Sequence, residues 1–145
     1  MHDFLIFPGE VYGHTKVASY HRKALGLGDF SFNVINEAAD ANPKKSNMIN
    51  CWEEDVKIEL GTANEIGGKY ALLSLERATE DLIKGNIDAL VTAPINKHNI
   101  QSETFAFPGH TEYLQLIMFD FLGLASAASL ITLKLKSPKP NAFLW

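Results

Sequence analysis

A three-layer α/β fold with a mixed, partly parallel sheet is what this sequence predicts, and three adjoining features carry the expectation. Residues 65–84 set Ala71, Leu72, Leu75, Ala78, Leu82 and Ile83 along one helical stripe, and Gly85 stands just past the last turn, where glycine commonly ends a helix. Ile87 to Val91 is then a short, nearly continuous apolar run, suited to an interior strand covered on both faces. Polar, ligand-type residues follow it at once, as they do at the carboxyl ends of strands in open α/β sheets. Strand, helix, strand in that order implies a crossover and some parallel pairing.

The remaining elements follow from local pattern. Phe4 to Phe7 and Val11-Tyr12 read as short buried strand pieces, and His14 to Leu25 places Val17, His21, Ala24 and Leu25 on one helical face before Gly26 stops it. Phe30, Phe32 and Val34 alternate with polar neighbours, as in a strand with one buried face; Asn36 to Ser46, with Pro43, reads as loop. Met48 to Cys51 and Val56 to Leu60 are further strand candidates.

Composition narrows the class. At 145 residues, 46% apolar and 21% charged, without evident repeats, the chain has the make-up of one globular domain rather than of a disordered segment. Its net charge is −4 and its basic residues are scattered, which argues against a nucleic-acid partner. Cys51 is the sole cysteine, so no disulfide can form within the chain and no Cys-based zinc site is available. The first residues lack the basic region and long apolar run of a secretory signal, and a reducing cytoplasm is the expected setting. Leu116 to Leu133 is nearly all apolar, but Asp120 inside a membrane span would cost about 2.5–3.5 kcal/mol, so a tail packed against the domain is expected instead of a membrane anchor.

Two polar clusters are candidates for chemistry. Thr92-Ala93-Pro94-Ile95-Asn96-Lys97 follows the Ile87–Val91 run, and Phe107-Pro108-Gly109-His110-Thr111-Glu112 comes shortly after. In the second, Gly109 permits close backbone approach, Thr111 is placed to cap a following helix, and a helix N-terminus beside a histidine and a hydroxyl suits a phosphate ester. Taken alone, the same residues also read as turn punctuation and Lys97 as a solvated lysine. His98 reads as a surface residue and His21 as a hydrogen-bonded core or boundary residue, while His2 and His14 carry no signal.

Ala89-Leu90-Val91-Thr92-Ala93-Pro94-Ile95-Asn96-Lys97 followed by Phe107-Pro108-Gly109-His110-Thr111-Glu112-Tyr113-Leu114 resembles the paired signature of the 4-hydroxythreonine-4-phosphate dehydrogenase family, in its Bacteroides-like form. Val11-Tyr12-Gly13 and the stretch Lys16 to Leu25 are similar to the same family, so the likeness covers roughly residues 11 to 115. The resemblance implies part of an isocitrate/isopropylmalate dehydrogenase-like fold, in a cytoplasmic homodimer. It also implies NAD-dependent oxidation of the secondary alcohol of 4-phosphooxy-L-threonine and decarboxylation of the 3-oxo acid, in pyridoxal phosphate biosynthesis. A divalent metal, zinc, magnesium or cobalt, would act as Lewis acid. On the matched motif His110 and Thr111 take the substrate-contacting positions, and Asn96 and Lys97 line the site.

The chain departs from that family in two places. Its glycine-rich early segment has only a faint echo in Phe7-Pro8-Gly9-Glu10, and Leu116 to Trp145 holds no histidine to supply the family's metal ligands. The expectation is a partial dehydrogenase domain over residues 1–115 and a divergent apolar tail over 116–145, with Ser137-Pro138-Lys139-Pro140 as a loose end. No metal or cofactor residues are identifiable, and the chain alone is expected to be inactive. A truncated or frame-shifted product, a deliberately shortened chain and a diverged module that binds a phosphorylated metabolite or a protein each fit this pattern. The abrupt change of character at Leu116 favours the first.

Overall fold

The computed structural model describes residues 9–59, 61–62, 64–93, 96, 98–101, 106–122 and 141–144. In chain order these form β1 (Gly9–Gly13), α1 (Thr15–Ala24), β2 (Asn33–Ile35), a 3-10 turn (Ala38–Asp40), β3 (Asn47–Asn50), α2 (Glu65–Ile83), β4 (Ala89–Thr92), α3 (His110–Leu122) and β5 (Asn141–Leu144). The strands lie in the order β2-β3-β1-β5-β4. Each of these pairings is parallel, not mixed as the sequence suggested. The physical reason is in the connections: every one is long enough to carry the chain back across the sheet, and none is a tight hairpin turn.

Helix α2 is the expected amphipathic helix. The Asn64 side chain caps it by accepting the Gly67 N–H at 2.8 Å, and Gly85 ends it with φ of 72°, a left-handed conformation that costs glycine little. Its apolar stripe, Leu72, Leu75 and Ala78, packs on Tyr12, Ile35 and Ile49 from β1, β2 and β3, and Ile87 and Ile100 close the same core. Near its start Gly68 lies against the backbone of Asn99; a Cβ there would stand 1.7 Å from the Asn99 carbonyl oxygen. The helix thus covers one sheet face and grips the loop that follows β4.

Several expectations change. The run Ile87 to Val91 does not form an interior strand: Ile87 turns into the core, but β4 has β5 on one side only and is the edge of the described sheet, leaving Val91 44% exposed. In β2 the buried residue is Ile35, while Val34 is 52% exposed. Phe30 and Phe32 precede the strand and pair edge to face at 4.8 Å. Residues 56–59 form no strand, and Leu60 lies outside the described residues. Helix α1 buries no residue, so His21 is exposed instead of sitting at a core boundary; its ring and that of Tyr20 meet edge to face at 5.8 Å. Phe4 to Phe7 lie outside the described residues.

Of the apolar stretch that starts at Leu116, residues up to Leu122 belong to α3, with Leu116 exposed; residues 123–133 lie outside the described residues. The four residues after Pro140, at the far end of the expected tail 116–145, form β5, inserted between β1 and β4. None of the helices searched among the described residues is long and apolar enough to cross a membrane. Because backbone rather than a flexible side chain opposes the new methyl group, Gly68→Ala is expected to cost about 1–3 kcal/mol of stability, read from urea unfolding.

Candidate functional site

At the carboxyl ends of β1 and β3 the chain gathers polar and aromatic groups that its pattern did not advertise. His14, directly after β1, is buried and caps α1: its Nδ1 accepts the Lys16 N–H at 3.1 Å. Its ring stacks on Trp52 with centroids 5.2 Å apart, and Trp52 leans on Tyr70 at 4.6 Å. Thr15 donates from its backbone N–H and its hydroxyl to Asn50 Oδ1, at 2.9 and 2.6 Å, which ties the start of α1 to the end of β3. Lys16 pairs with exposed Asp55, whose carboxyl it holds below the usual range. Burial pushes the neighbouring Cys51 thiol up to about 11, so it stays protonated at neutral pH and is no nucleophile.

The two motif loops differ in how they are held. After β4, Asn96 builds a tight turn: its Oδ1 accepts the backbone N–H of His98 at 3.0 Å and of Asn99 at 3.3 Å, and its own carbonyl accepts from Ile100 at 3.2 Å. The side-chain oxygen of Asn96 is therefore occupied by the turn itself. His98 is exposed, and Lys97 lies outside the described residues. In the second loop Gln101 Nε2 donates to the Phe107 carbonyl, Phe107 packs edge to face on Tyr113 at 5.5 Å, and both rest on the core that contains Ile100. Both loops are thus anchored to one core.

His110 opens α3 and is half-buried; Thr111 is exposed. Thr111 does not cap the helix, because α3 already begins at His110 and the Gly109 carbonyl accepts the Tyr113 N–H at 3.3 Å, leaving Thr111 inside the first turn. The first turn of a helix leaves backbone N–H groups without an intrahelical acceptor, and anions are favoured there. Among the described residues no group of three or more His, Cys, Asp and Glu side chains is gathered to hold a metal ion.

Sequence reasoning missed His14, Trp52 and Tyr70. The available signal was position: a residue between a buried strand and a helix start is a capping position, although histidine is an unusual occupant.

The strand order, the helix-gripped loop after β4 and the motif at the start of α3 define a parallel α/β sheet protein with its candidate site in loops. The chain belongs to the family described as pyridoxal phosphate biosynthetic protein PdxA, whose model matches residues 8–131. It is 50% identical over 105 residues to a 4-hydroxythreonine-4-phosphate dehydrogenase of Bacteroides thetaiotaomicron, covering 72% of this chain and 29% of that one. A 4-hydroxythreonine-4-phosphate dehydrogenase of Sulfurihydrogenibium is 33% identical over 104 residues, 72% of this chain and 31% of the relative. A putative D-threonate 4-phosphate dehydrogenase of Cutibacterium acnes is 34% identical over 109 residues, with the same shares. The chain therefore spans under a third of the length of these relatives. No solved structure matches it.

Burial first, and then the Lys16 charge, lower the His14 pKa below its ordinary 6.5. The cap needs an unprotonated Nδ1, so its contribution is complete above about pH 6.5 and is lost as pH falls through the lowered folded value. His14→Ala is expected to cost about 0.5–2 kcal/mol at neutral pH and progressively less in acid, by urea unfolding across pH.

Proposed function

We propose that this chain carries part of an NAD-dependent dehydrogenase that oxidises and decarboxylates 4-phosphooxy-L-threonine in pyridoxal phosphate biosynthesis, and that the chain alone does not turn over. The observation that carries the reading is the ordered pair of motifs, Thr92 to Lys97 and Phe107 to Leu114, within the region shared with relatives bearing that name. The names of the relatives in Bacteroides and Cutibacterium both specify a phosphorylated four-carbon hydroxy acid, so a phosphate ester is the shared chemistry.

In this reading His110 and Thr111 contact the substrate, and Asn96 and Lys97 line the site. Support comes from α3: it starts at His110 with exposed Thr111 in its first turn, and the first turn of a helix is a favourable place for an anion. With the Asn96 oxygen committed to its turn, the Asn96 contribution falls to its amide N–H groups and to the shape of the loop.

The reading also places residues 1–115 in a three-layer, isocitrate/isopropylmalate dehydrogenase-like fold, and 116–145 in a diverged stretch that lends β5 to the sheet. The whole enzyme is a cytoplasmic homodimer. It takes NAD and a divalent metal, zinc, magnesium or cobalt, but the described residues offer no donor set that fits a metal.

The test supplies the purified chain with 4-phosphooxy-L-threonine, NAD and each of those metals, follows reduced cofactor, and measures substrate affinity by calorimetry. Weak binding that His110→Ala reduces at least about tenfold, without turnover in either protein, is the expected result. Turnover that depends on His110 would overturn the inactive reading, and binding indifferent to His110 would overturn the site.

A further inference from the structure

Glu10 is fully buried at 0% exposure, and among the described residues neither of its carboxyl oxygens has a side-chain or backbone hydrogen-bond partner from another residue. It lies two residues before Tyr12 in β1, so the pleat sends both side chains to the sheet face that α2 covers. From α2, Asp81 faces this seam at 2% exposure; its Oδ2 accepts the Tyr12 hydroxyl at 2.7 Å and its Oδ1 accepts Asn86 Nδ2 at 2.9 Å. Arg77, one turn earlier, stands with Nε 3.8 Å from Asp81 Oδ2, so the positive charge facing the seam is already engaged.

The flanking strands offer Glu10 no relief. Asn47 of β3 holds the paired register position, but its amide is committed to Asn33, Asn42 and Lys45; the β5 position is Ala142. A carboxylate ionised here would be a dry, unpaired charge facing a second carboxylate, whereas a protonated one would leave no charge to neutralise.

The geometry points to a proton-sensitive latch: Glu10 carries a proton while α2 is seated on β1, and losing it loosens α2 together with the turn residues Asn99 and Ile100. The coupling to the loop is the contact in which Gly68 of α2 presses on the Asn99 backbone. Burial, the largest cause, pushes the Glu10 carboxyl above its ordinary 4.5; the contact with Glu10's own backbone N–H pulls it back in part, and the Asp81 charge adds a smaller push upward. For a carboxyl raised on folding, the stabilisation is complete below that unfolded value and is lost as pH rises through the folded one. His14, beyond the other end of β1, gives a signal of opposite sign.

The experiment is amide hydrogen exchange in α2 and at residues 98–100 from about pH 4 to about pH 9, corrected for intrinsic exchange, in the full chain and in Glu10→Gln. The unmodified chain should open more readily as pH rises, by up to about tenfold per unit within the titration window of one proton, and Glu10→Gln should be flat there. Asp81→Asn, which keeps an acceptor for Tyr12, should move the window to lower pH. An equal slope with and without the Glu10 carboxyl, or a flat unmodified chain, would overturn the latch. Should Glu10→Gln fail to fold, carbon NMR of the Glu10 side-chain carboxyl in the unmodified chain decides the matter. Titration well above free glutamate, in step with α2 opening, supports the latch, and titration at or below free glutamate overturns it.

Discussion

The seating of α2 on β1 is the constraint on which the rest of this structure depends. Apolar contact supplies most of it, through Leu72, Leu75 and Ala78 against Tyr12 and Ile49, but apolar contact is non-directional and fixes no register. Direction comes from the buried hydrogen bond in which the Tyr12 hydroxyl donates to Asp81. Both groups are out of water, so leaving either unpaired would be costly, and burial together with that bond drives the Tyr12 hydroxyl far above its ordinary pKa. Asn86 Nδ2 holds the other oxygen of Asp81, which ties the turn after α2, and hence the approach to β4, to the same point.

From that seam the candidate site is positioned at second hand. The beginning of α2 presses Gly68 on the loop after β4, Ile100 of that loop enters the core, and Phe107 and Tyr113 at the start of α3 rest on the same core. The loops therefore owe their placement to a rigid layer beneath them, as sites on open parallel sheets commonly do. Asn96 adds to this with an oxygen that closes a turn, so its part in the site begins as architecture.

Much of the scaffold was legible because its signals are local and redundant. The α2 stripe and the Gly85 stop agree with one another, and Met48 and Ile49 needed only a short apolar run to be read as strand. What could not be read depends on neighbours distant in the chain. Whether β4 is interior or edge depends on which strands flank it, and β5, its one described partner, comes from a segment whose few residues carry no strand pattern. Alternation from Phe30 to Val34 suggested the wrong face for β2, since the aromatic pair packs on itself before the strand begins. His14 and Glu10 escaped notice because a single polar residue becomes informative only once its burial is known. At the site, the family resemblance singled out His110 and Thr111, whereas the capping role suggested for Thr111 failed by a shift of helix start that sequence reading rarely resolves.

The central claim, that one directional bond sets how α2 sits on the sheet, is tested most directly by a double-mutant cycle on Tyr12→Phe and Asp81→Ala, with stability read from urea unfolding. The account predicts a coupling of about 1.5–3 kcal/mol between the two positions, the range expected for a buried hydrogen bond to a charged group. Strictly additive losses would contradict it, because they would mean that apolar packing alone seats the helix and that the bond is incidental.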